Sequence, residues 1–229
     1  MGKEQIKVEL IDHMGSDLSV VNSARVSFDK QVEKVSDGDV KLIKYLANHK
    51  HMTPFRHNQI QIRCHAPIFL ARQLGKHQAG LSWNEVSRRY VDSEPEFFIP
   101  DEWRGRPDGS IKQGSGGVVE YLKGWSSIVG VSSQWDMSTN IAYDHFISVV
   151  EDMYREFLEA GVAPEMARMV LPQSMMTSWY WTGNLISFAH VYKERIAEGA
   201  QLEAQWFAED LDKVIRPLFP ESWSALVDG

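Results

Sequence analysis

The sequence predicts an α+β fold, a single helix-rich domain with a mixed or antiparallel sheet. Three observations carry that expectation. Apolar residues recur at helical spacing over several stretches, the few segments with a period of two lie far apart, and no regular strand–helix–strand alternation joins them. No Pro/Ser-rich linker divides the 229 residues, so 1–229 is expected to fold as one domain.

The elements follow in order. Ile6, Val8 and Leu10 alternate with Lys7 and Glu9, the period of a short strand. Residues 19–28 read as a helix with Asp17 as its cap. Residues 29–38 are charged, contain Gly38 and read as a loop. Val40, Ile43 and Leu46 recur at helical spacing, and His49-Lys50-His51-Met52-Thr53-Pro54 ends that helix. The clearest strand comes next: Ile60, Ile62, Cys64 and Ala66 point one way, Gln59, Gln61, Arg63 and His65 the other. Pro67 ends it and opens a helix. Residues 104–117 are rich in Gly and charge and read as a mobile surface insertion, which extends to about 137. Over 139–160 an amphipathic helix places Ile141, Phe146, Val149, Val150, Met153, Phe157 and Leu158 on one face, and Gly161 ends it. Pro164 starts another helix and Pro172 stops it. Helices over 182–196 and 201–215 follow, the second stopped by Pro217.

Composition removes several functions. A formal charge of -7 disfavours a general nucleic-acid coat, which must neutralise phosphates with Lys and Arg, although a local basic pocket can still hold one phosphate. One cysteine, Cys64, allows no intrachain disulfide and fits a reducing compartment. No apolar run reaches the ~18 residues of a membrane span. A soluble cytoplasmic protein is expected, with neither a membrane nor a nucleic-acid partner.

The densest polar cluster is residues 72–90. A surface helix could hold many of them, but the stretch mixes Arg, Gln, His, Ser and Asn with Gly and Trp, where a solvated face is usually rich in Lys and Glu. Those side chains give directional hydrogen bonds, and arginine offers a planar fork for phosphate or a pyrimidine edge. A ligand site is the better reading. Arg168 lies among Met166, Ala167, Met169 and Val170, and Arg195 ends a helix. Each is also readable as a surface or dipole-facing cation. No phosphate-binding glycine loop and no zinc spacing occur, and His49, His51 and His57 would meet on a metal only by coincidence of folding. Cys64 falls on the apolar phase of its strand, as a small buried hydrophobe does, so thiol chemistry is disfavoured.

Ser82-Trp83-Asn84-Glu85-Val86-Ser87-Arg88-Arg89-Tyr90 resembles the second half of the signature of the flavin-dependent thymidylate synthases, RHRxxSxNExSxRY. The first half departs: Lys76-His77-Gln78 stands for RHR, with one extra residue before Ser82. Ala71-Arg72-Gln73, Ala24-Arg25-Val26-Ser27-Phe28, His51-Met52-Thr53-Pro54-Phe55-Arg56-His57 and Ala167-Arg168-Met169-Val170-Leu171-Pro172 also resemble family motifs, and Asn184 and Arg195 have the family's spacing. An arginine usual two residues after Asn184 is Ile186 here, and a histidine usual four after Arg195 is Gly199. The resemblance implies synthesis of dTMP from dUMP, with methylenetetrahydrofolate as carbon donor, NADPH as reductant and FAD between them. It implies a homotetramer with active sites at subunit interfaces, and no cysteine nucleophile. By the same resemblance Gln73, Ser87, Arg88, Arg89, Arg168 and Arg195 would hold dUMP, with Arg195 at the uracil ring as the catalytic cation. His51, Thr53, Lys76, His77, Gln78, Glu85, Asn184 and His190 would contact FAD, and no metal is implied. A hydroxymethylating relative, or a non-catalytic nucleotide- or flavin-binding homologue, are the alternatives.

Overall fold

The computed structural model describes residues 2–107, 109, 114–122 and 137–229. Residues 108, 110–113 and 123–136 of the expected insertion lie outside them. The architecture is α+β, and the sheet is antiparallel. Its four strands are β1 (Lys7–Met14), β2 (Gln59–Pro67), β3 (Leu81–Glu85) and β8 (Met176–Asn184), in the order β1-β2-β8-β3. Two small pairs come between, β4 (Arg104–Gly105) with β5 (Gly116–Val118) and β6 (Tyr121–Leu122) with β7 (Met137–Ser138). The described part of the insertion is therefore paired structure.

The alternation read in β2 sets one face of the sheet. Ile60, Ile62, Cys64 and Ala66 are all fully buried. Their partners on β8 are Gly183, Trp181, Trp179 and Thr177. The other face is polar, with Gln61 Nε2 donating to Thr182 Oγ1 (3.1 Å) and His65 Nδ1 bonded to Ser178 Oγ (2.9 Å). The sequence pattern gives no element after Pro172 until a helix over 182–196, where the structure has strand β8. The helix begins only at Leu185, because residues 177, 179, 181 and 183 alternate inward and a strand buries both tryptophans where a helix would splay them.

Helices α1 (Asp17–Arg25), α2 (Asp37–Asn48), α6 (Leu185–Ile196), α7 (Leu202–Ile215) and α8 (Pro220–Val227) build one core with the sheet; α6 packs on α7, and α8 on α2 and α6. Helix α3 (Ile68–Leu74) follows β2 directly, with Pro67 as its N-cap as the proline suggested. Ser16, and not Asp17, caps α1, in a reciprocal box with Ser19. Asp17 instead accepts the backbone N–H groups of Glu221 and Ser222, both at 2.9 Å, and so caps α8 at the other end of the chain.

Helix α4 (Thr139–Glu159) has its predicted extent but not its predicted buried face. Ala142, Ile147, Val150 and Tyr154 turn inward, and Ile147 and Val150 join Phe97 and Met175 in a second small core. Ile141, Phe146, Val149, Met153 and Phe157 are exposed, Ile141 by 61%. Their shared stripe does not pack on this chain's core. Helix α5 (Pro164–Ala167) and a following 3-10 turn over Arg168–Val170 lead into β8.

Removing the Asp17 carboxylate leaves the buried N–H of Ser222 without an acceptor. Asp17→Ala is expected to cost about 1.5–3 kcal/mol, the range for hydrogen bonds to a charged group. Asp17→Asn, which keeps one acceptor oxygen, is expected to cost less. Urea unfolding of the three proteins measures both.

Candidate active site

Strand register distributes the sequence-predicted residues. Leu81 pairs with Gly183 at one end of the sheet and Glu85 with Trp179 toward the other. Lys76, His77 and Gln78 precede the first end, and Asn184 closes it. Ser87, Arg88 and Arg89 leave the second end. The two ends of β3 stand about 13 Å apart at ordinary strand rise. A 450 Å³ cleft lies along this length between α3 and β3, lined by Arg72, Lys76, His77, Gln78, Trp83 and Glu85 among others. Trp181 also lines it, and its buried indole N–H has no partner among the described residues.

The turn from α3 into β3 is tight. Gly80 has φ +72°, and a Cβ there would stand 2.4 Å from Ser187 Oγ and 2.6 Å from Asn184 Nδ2. Asn184 caps α6, its Oδ1 accepting from Ser187 N (3.0 Å). That cap aims α6 back over the α3–β3 turn. Arg195, three turns on, donates from Nε (3.0 Å) and Nη2 (2.9 Å) to His77 Nε2, and from Nη2 to the Gln73 carbonyl at 3.4 Å.

An arginine cannot accept a hydrogen bond, so His77 Nε2 must present its lone pair and the imidazole is neutral, protonated on Nδ1. Burial first, then the Arg195 guanidinium, with His190 adding to the effect, bring the His77 pKa down to about 4. The His190 ring stands edge-on to His77 with centroids 5.5 Å apart. Gln73, His77, His190 and Arg195 thus form one group.

Arg89 and Arg168 form another. Arg89 Nε donates to Glu165 Oε2 (3.2 Å), and Arg168 Nε to the Glu165 carbonyl (3.2 Å). Two cations 79 positions apart therefore meet on one exposed residue. The guanidinium of Arg88 instead braces its own loop, donating to the carbonyls of Ser93 and Glu94. Ser87 Oγ accepts from the Arg89 N–H (3.3 Å). Glu85 is held by Thr177 Oγ1 (2.9 Å) and Trp83 Nε1 (3.2 Å). His51 and Thr53 lie on the α2–β2 connection, where the ring of Tyr45 stacks on His49 and stands 6.1 Å from His51. Among the described residues no hydrogen bond joins these groups to one another.

Several neighbours carried no motif. Gln73 Nε2 donates to Gln201 Oε1 (2.6 Å), and Gln201 Nε2 to Glu203 Oε2 (2.8 Å). Arg104 Nη2 donates to both Glu203 oxygens (2.6 and 2.8 Å). The signal that could have found them is a glutamate in the first turn of a helix on an otherwise apolar face, a position where a carboxylate needs a partner. A second cavity, of 560 Å³, borders this chain and is lined by Phe69, Trp103, Tyr143, Arg104 and Glu203 among others, and by none of the sequence-predicted residues. Cys64 is buried on the core side of the sheet, and burial pushes its thiol pKa up, so it is a packed thiol. Among the described residues, no group of three or more His, Cys, Asp or Glu is placed to hold a metal.

The profile of the family described as "Thymidylate synthase complementing protein" (Thy1) matches residues 9–221. A protein named flavin-dependent thymidylate synthase from Thermosipho africanus is 36% identical over 223 residues, 96% of this chain and 90% of that one. Its namesake from Thermus thermophilus is 35% identical over 218 residues, 95% of this chain and 74% of that one. Among solved structures, the UMP/dUMP methylase PolB from Streptomyces cacaoi bound with 5-Br dUMP is similar, with TM-score 0.77 and 30% identity over 97% of this chain and 95% of that one.

The depressed His77 pKa has a pH consequence. Between 6.5 and about 4 the unfolded chain takes up a proton that the folded chain refuses, so stability falls as pH falls through that window. Above 6.5 both states are neutral and the effect is absent. His77→Gln keeps an acceptor for Arg195 without the titration. The stability advantage of the unaltered protein over His77→Gln is expected to be constant above pH 6.5 and to shrink steadily down to about pH 4. Paired urea unfolding across that range checks it; an advantage that stays flat contradicts the neutral-acceptor role.

Proposed function

The chain belongs to the Thy1 family, and on that premise we propose that it is a flavin-dependent thymidylate synthase. It makes dTMP from dUMP, with methylenetetrahydrofolate as carbon donor, NADPH as reductant and FAD as cofactor. The observation that carries the reading is the meeting of Arg195 with the neutral His77 beside the α3–β3 cleft.

The residues present fit FAD. The cleft offers the Lys76 cation for phosphate, the Gln78 amide, and an unpartnered indole N–H on Trp181. Lys76, His77, Gln78, Glu85, Asn184 and His190, with His51 and Thr53 from the α2–β2 connection, are the proposed contacts. When bound, FAD passes the reducing equivalents that complete the new methyl group.

The chain's own residues bind and polarise the nucleotide. Arg89 and Arg168 grip the phosphate, which takes the place of the Glu165 carboxylate on Arg89 while Arg168, held at the Glu165 backbone carbonyl, closes on it from beside. Ser87 supports that grip, and Arg88 holds the loop that presents it. Gln73 and Arg195 face the nucleoside. Arg195 has no carboxylate partner among the described residues, so its charge is free to stabilise negative charge developing on the uracil ring. A neutral His77 fixes the guanidinium plane without cancelling that charge.

We also propose a homotetramer in the cytoplasm, with sites shared between subunits. The exposed apolar stripe of α4 supports the assembly, and exposed Met166 and Met169 beside Arg168 support a shared site. Among the described residues no helix is long and apolar enough to cross a membrane.

Product mass from dUMP with methylenetetrahydrofolate, NADPH and FAD tests the reading: dTMP is expected, and a hydroxymethylated product or none overturns it. UMP belongs in the same assay, since PolB is named for both nucleotides. Arg195→Ala is expected to slow flavin oxidation at saturating dUMP by about a hundred- to thousandfold, the loss typical of one preorganised charge-stabilising donor. Arg168→Ala acts on a phosphate that is dianionic throughout, so it should weaken dUMP affinity more than it slows the saturated rate. Calorimetry with single-turnover measurement separates the two. For the assembly, Val149→Asp places a charge on the α4 stripe, and sedimentation is expected to show smaller species.

A further inference from the structure

Four side chains run in a line from the insertion to the site: Arg104, Glu203, Gln201 and Gln73. Glu203 is almost wholly buried, in the first turn of α7, and Arg104 reaches it from β4. Nothing in the proposed chemistry uses either residue. The direction of the line follows from the chemistry of its end. A carboxylate paired with arginine only accepts hydrogen bonds, so Gln201 must turn its NH2 toward Glu203. Its carbonyl then faces Gln73, and Gln73 must answer with its own NH2. One orientation of each amide satisfies the chain; flipping either places two donors or two acceptors face to face.

From this polarity we infer that Glu203 is a positioning residue that presents Gln73 Oε1 to the nucleotide as a fixed hydrogen-bond acceptor. Gln73 Oε1 has no partner among the described residues, and the Gln73 carbonyl meets the guanidinium of Arg195. The inference rests on the nucleotide reading above and adds which chemical feature is read. A phosphate or a pyrimidine carbonyl only accepts, so neither pairs with Oε1. The matching group is a donor hydrogen on the nucleoside, either the imide N3–H of the ring or a sugar hydroxyl. A free glutamine amide would flip to suit either a donor or an acceptor, while one anchored through Gln201 to a buried carboxylate selects for donors.

The test is calorimetric binding to FAD-loaded protein of dUMP, N3-methyl-dUMP, which lacks the imide donor, and 2′,3′-dideoxyuridine monophosphate, which lacks the sugar donor. In the unaltered protein one analogue is expected to bind about tenfold more weakly than dUMP, and which one does so identifies the donor. Glu203→Gln lets the chain reverse, and Gln201→Met cuts it beside Gln73. In each the ratio between dUMP and that analogue is expected to fall to about threefold or less, because Gln73 can then turn. Glu203→Asp, which keeps a carboxylate, should restore discrimination in part. A merely structural role would lower affinity for dUMP and analogue alike and leave the ratio unchanged. If Glu203→Gln does not fold, Gln201→Met carries the comparison. The inference is overturned if neither analogue loses affinity for the unaltered protein, or if the ratio persists in folded variants. A protein that binds no dUMP at all overturns the functional reading itself, an outcome distinct from dUMP binding without discrimination.

Discussion

Strand β8 is hydrogen-bonded on both sides, to β2 and to β3, and the rest of the structure depends on that double pairing. Side chains alternate with a period of two, so a slip of one residue would turn Trp179 and Trp181 out of the core and bring Tyr180 and Thr182 in. Trp83 from β3 stacks on Trp179 at 4.3 Å and meets Trp181 edge-on, which ties the edge strand to the same register. The register places Asn184 at the end of the strand, where it caps α6. The cap fixes the direction of α6, and the direction brings Arg195 to His77. A sheet pairing thus determines the surroundings of the cation proposed to face the uracil ring.

The way charge is handled separates Arg195 from the arginines that are ion-paired. The chain carries a net charge of -7, and several of its arginines have an acidic partner. Arg25 is paired with Asp39, whose pKa is brought down to about 2 chiefly by hydrogen bonds from Ser36, with Arg25 adding to the effect. Arg104 has Glu203, Arg89 has Glu165, and Arg216 lies between Asp212 and Asp228. Arg195 has a neutral imidazole and a backbone carbonyl. A half-buried cation held by neutral groups keeps its field for whatever enters beside it, whereas the exposed Arg89–Glu165 pair can exchange one anion for another at little cost. The same fold therefore holds a replaceable ion pair and an uncompensated charge, the two kinds of cation that a phosphate and a reacting ring require.

Much of this was legible in the sequence where a single period dominates. Strand β2 alternates cleanly and has the extent and inward face its pattern predicts, and α4 and α7 begin and end within a residue or two of their signals. Strand β8 was not legible, because its inward residues are tryptophans, a threonine and a glycine, and its outward Tyr180 is as apolar as they are. The stripe on α4 was legible as amphipathic, but amphipathicity does not say which surface covers the apolar face, and here the core takes a different one. Motif order named the arginines. It could not place Arg89 and Arg168 on one glutamate, nor show that Gln73 is bonded to a residue 128 positions away, since both depend on tertiary geometry.

The departure from the family signature, one extra residue before Ser82, has a local resolution. An insertion within β3 would shift its pairing and move Trp83 off Trp179. The extra length lies instead in the turn Ala79-Gly80, where the left-handed φ of Gly80 is free of strain and its backbone sits against Asn184 and Ser187. Ser187 Oγ donates to the Ala79 carbonyl at 2.8 Å and fixes the turn to the start of α6. Gly183, opposite Leu81, completes the fit: a Cβ there would stand 2.3 Å from Leu81 Cδ2 and 2.8 Å from the Gly80 carbonyl. Leu81 pairs with Gly183 and Ser82 with Thr182, so β3 runs in unbroken register from the residue after that turn. Before it, His77 reaches Arg195. Within this stretch the chemical change falls on Lys76 and Gln78, where the signature has arginines. There a point charge and an amide line the cleft in place of two planar forks. On the proposed reading, this substitution bears on the grip on the cofactor's phosphates, while the cation proposed to face the nucleotide ring is held as the register of β8 dictates.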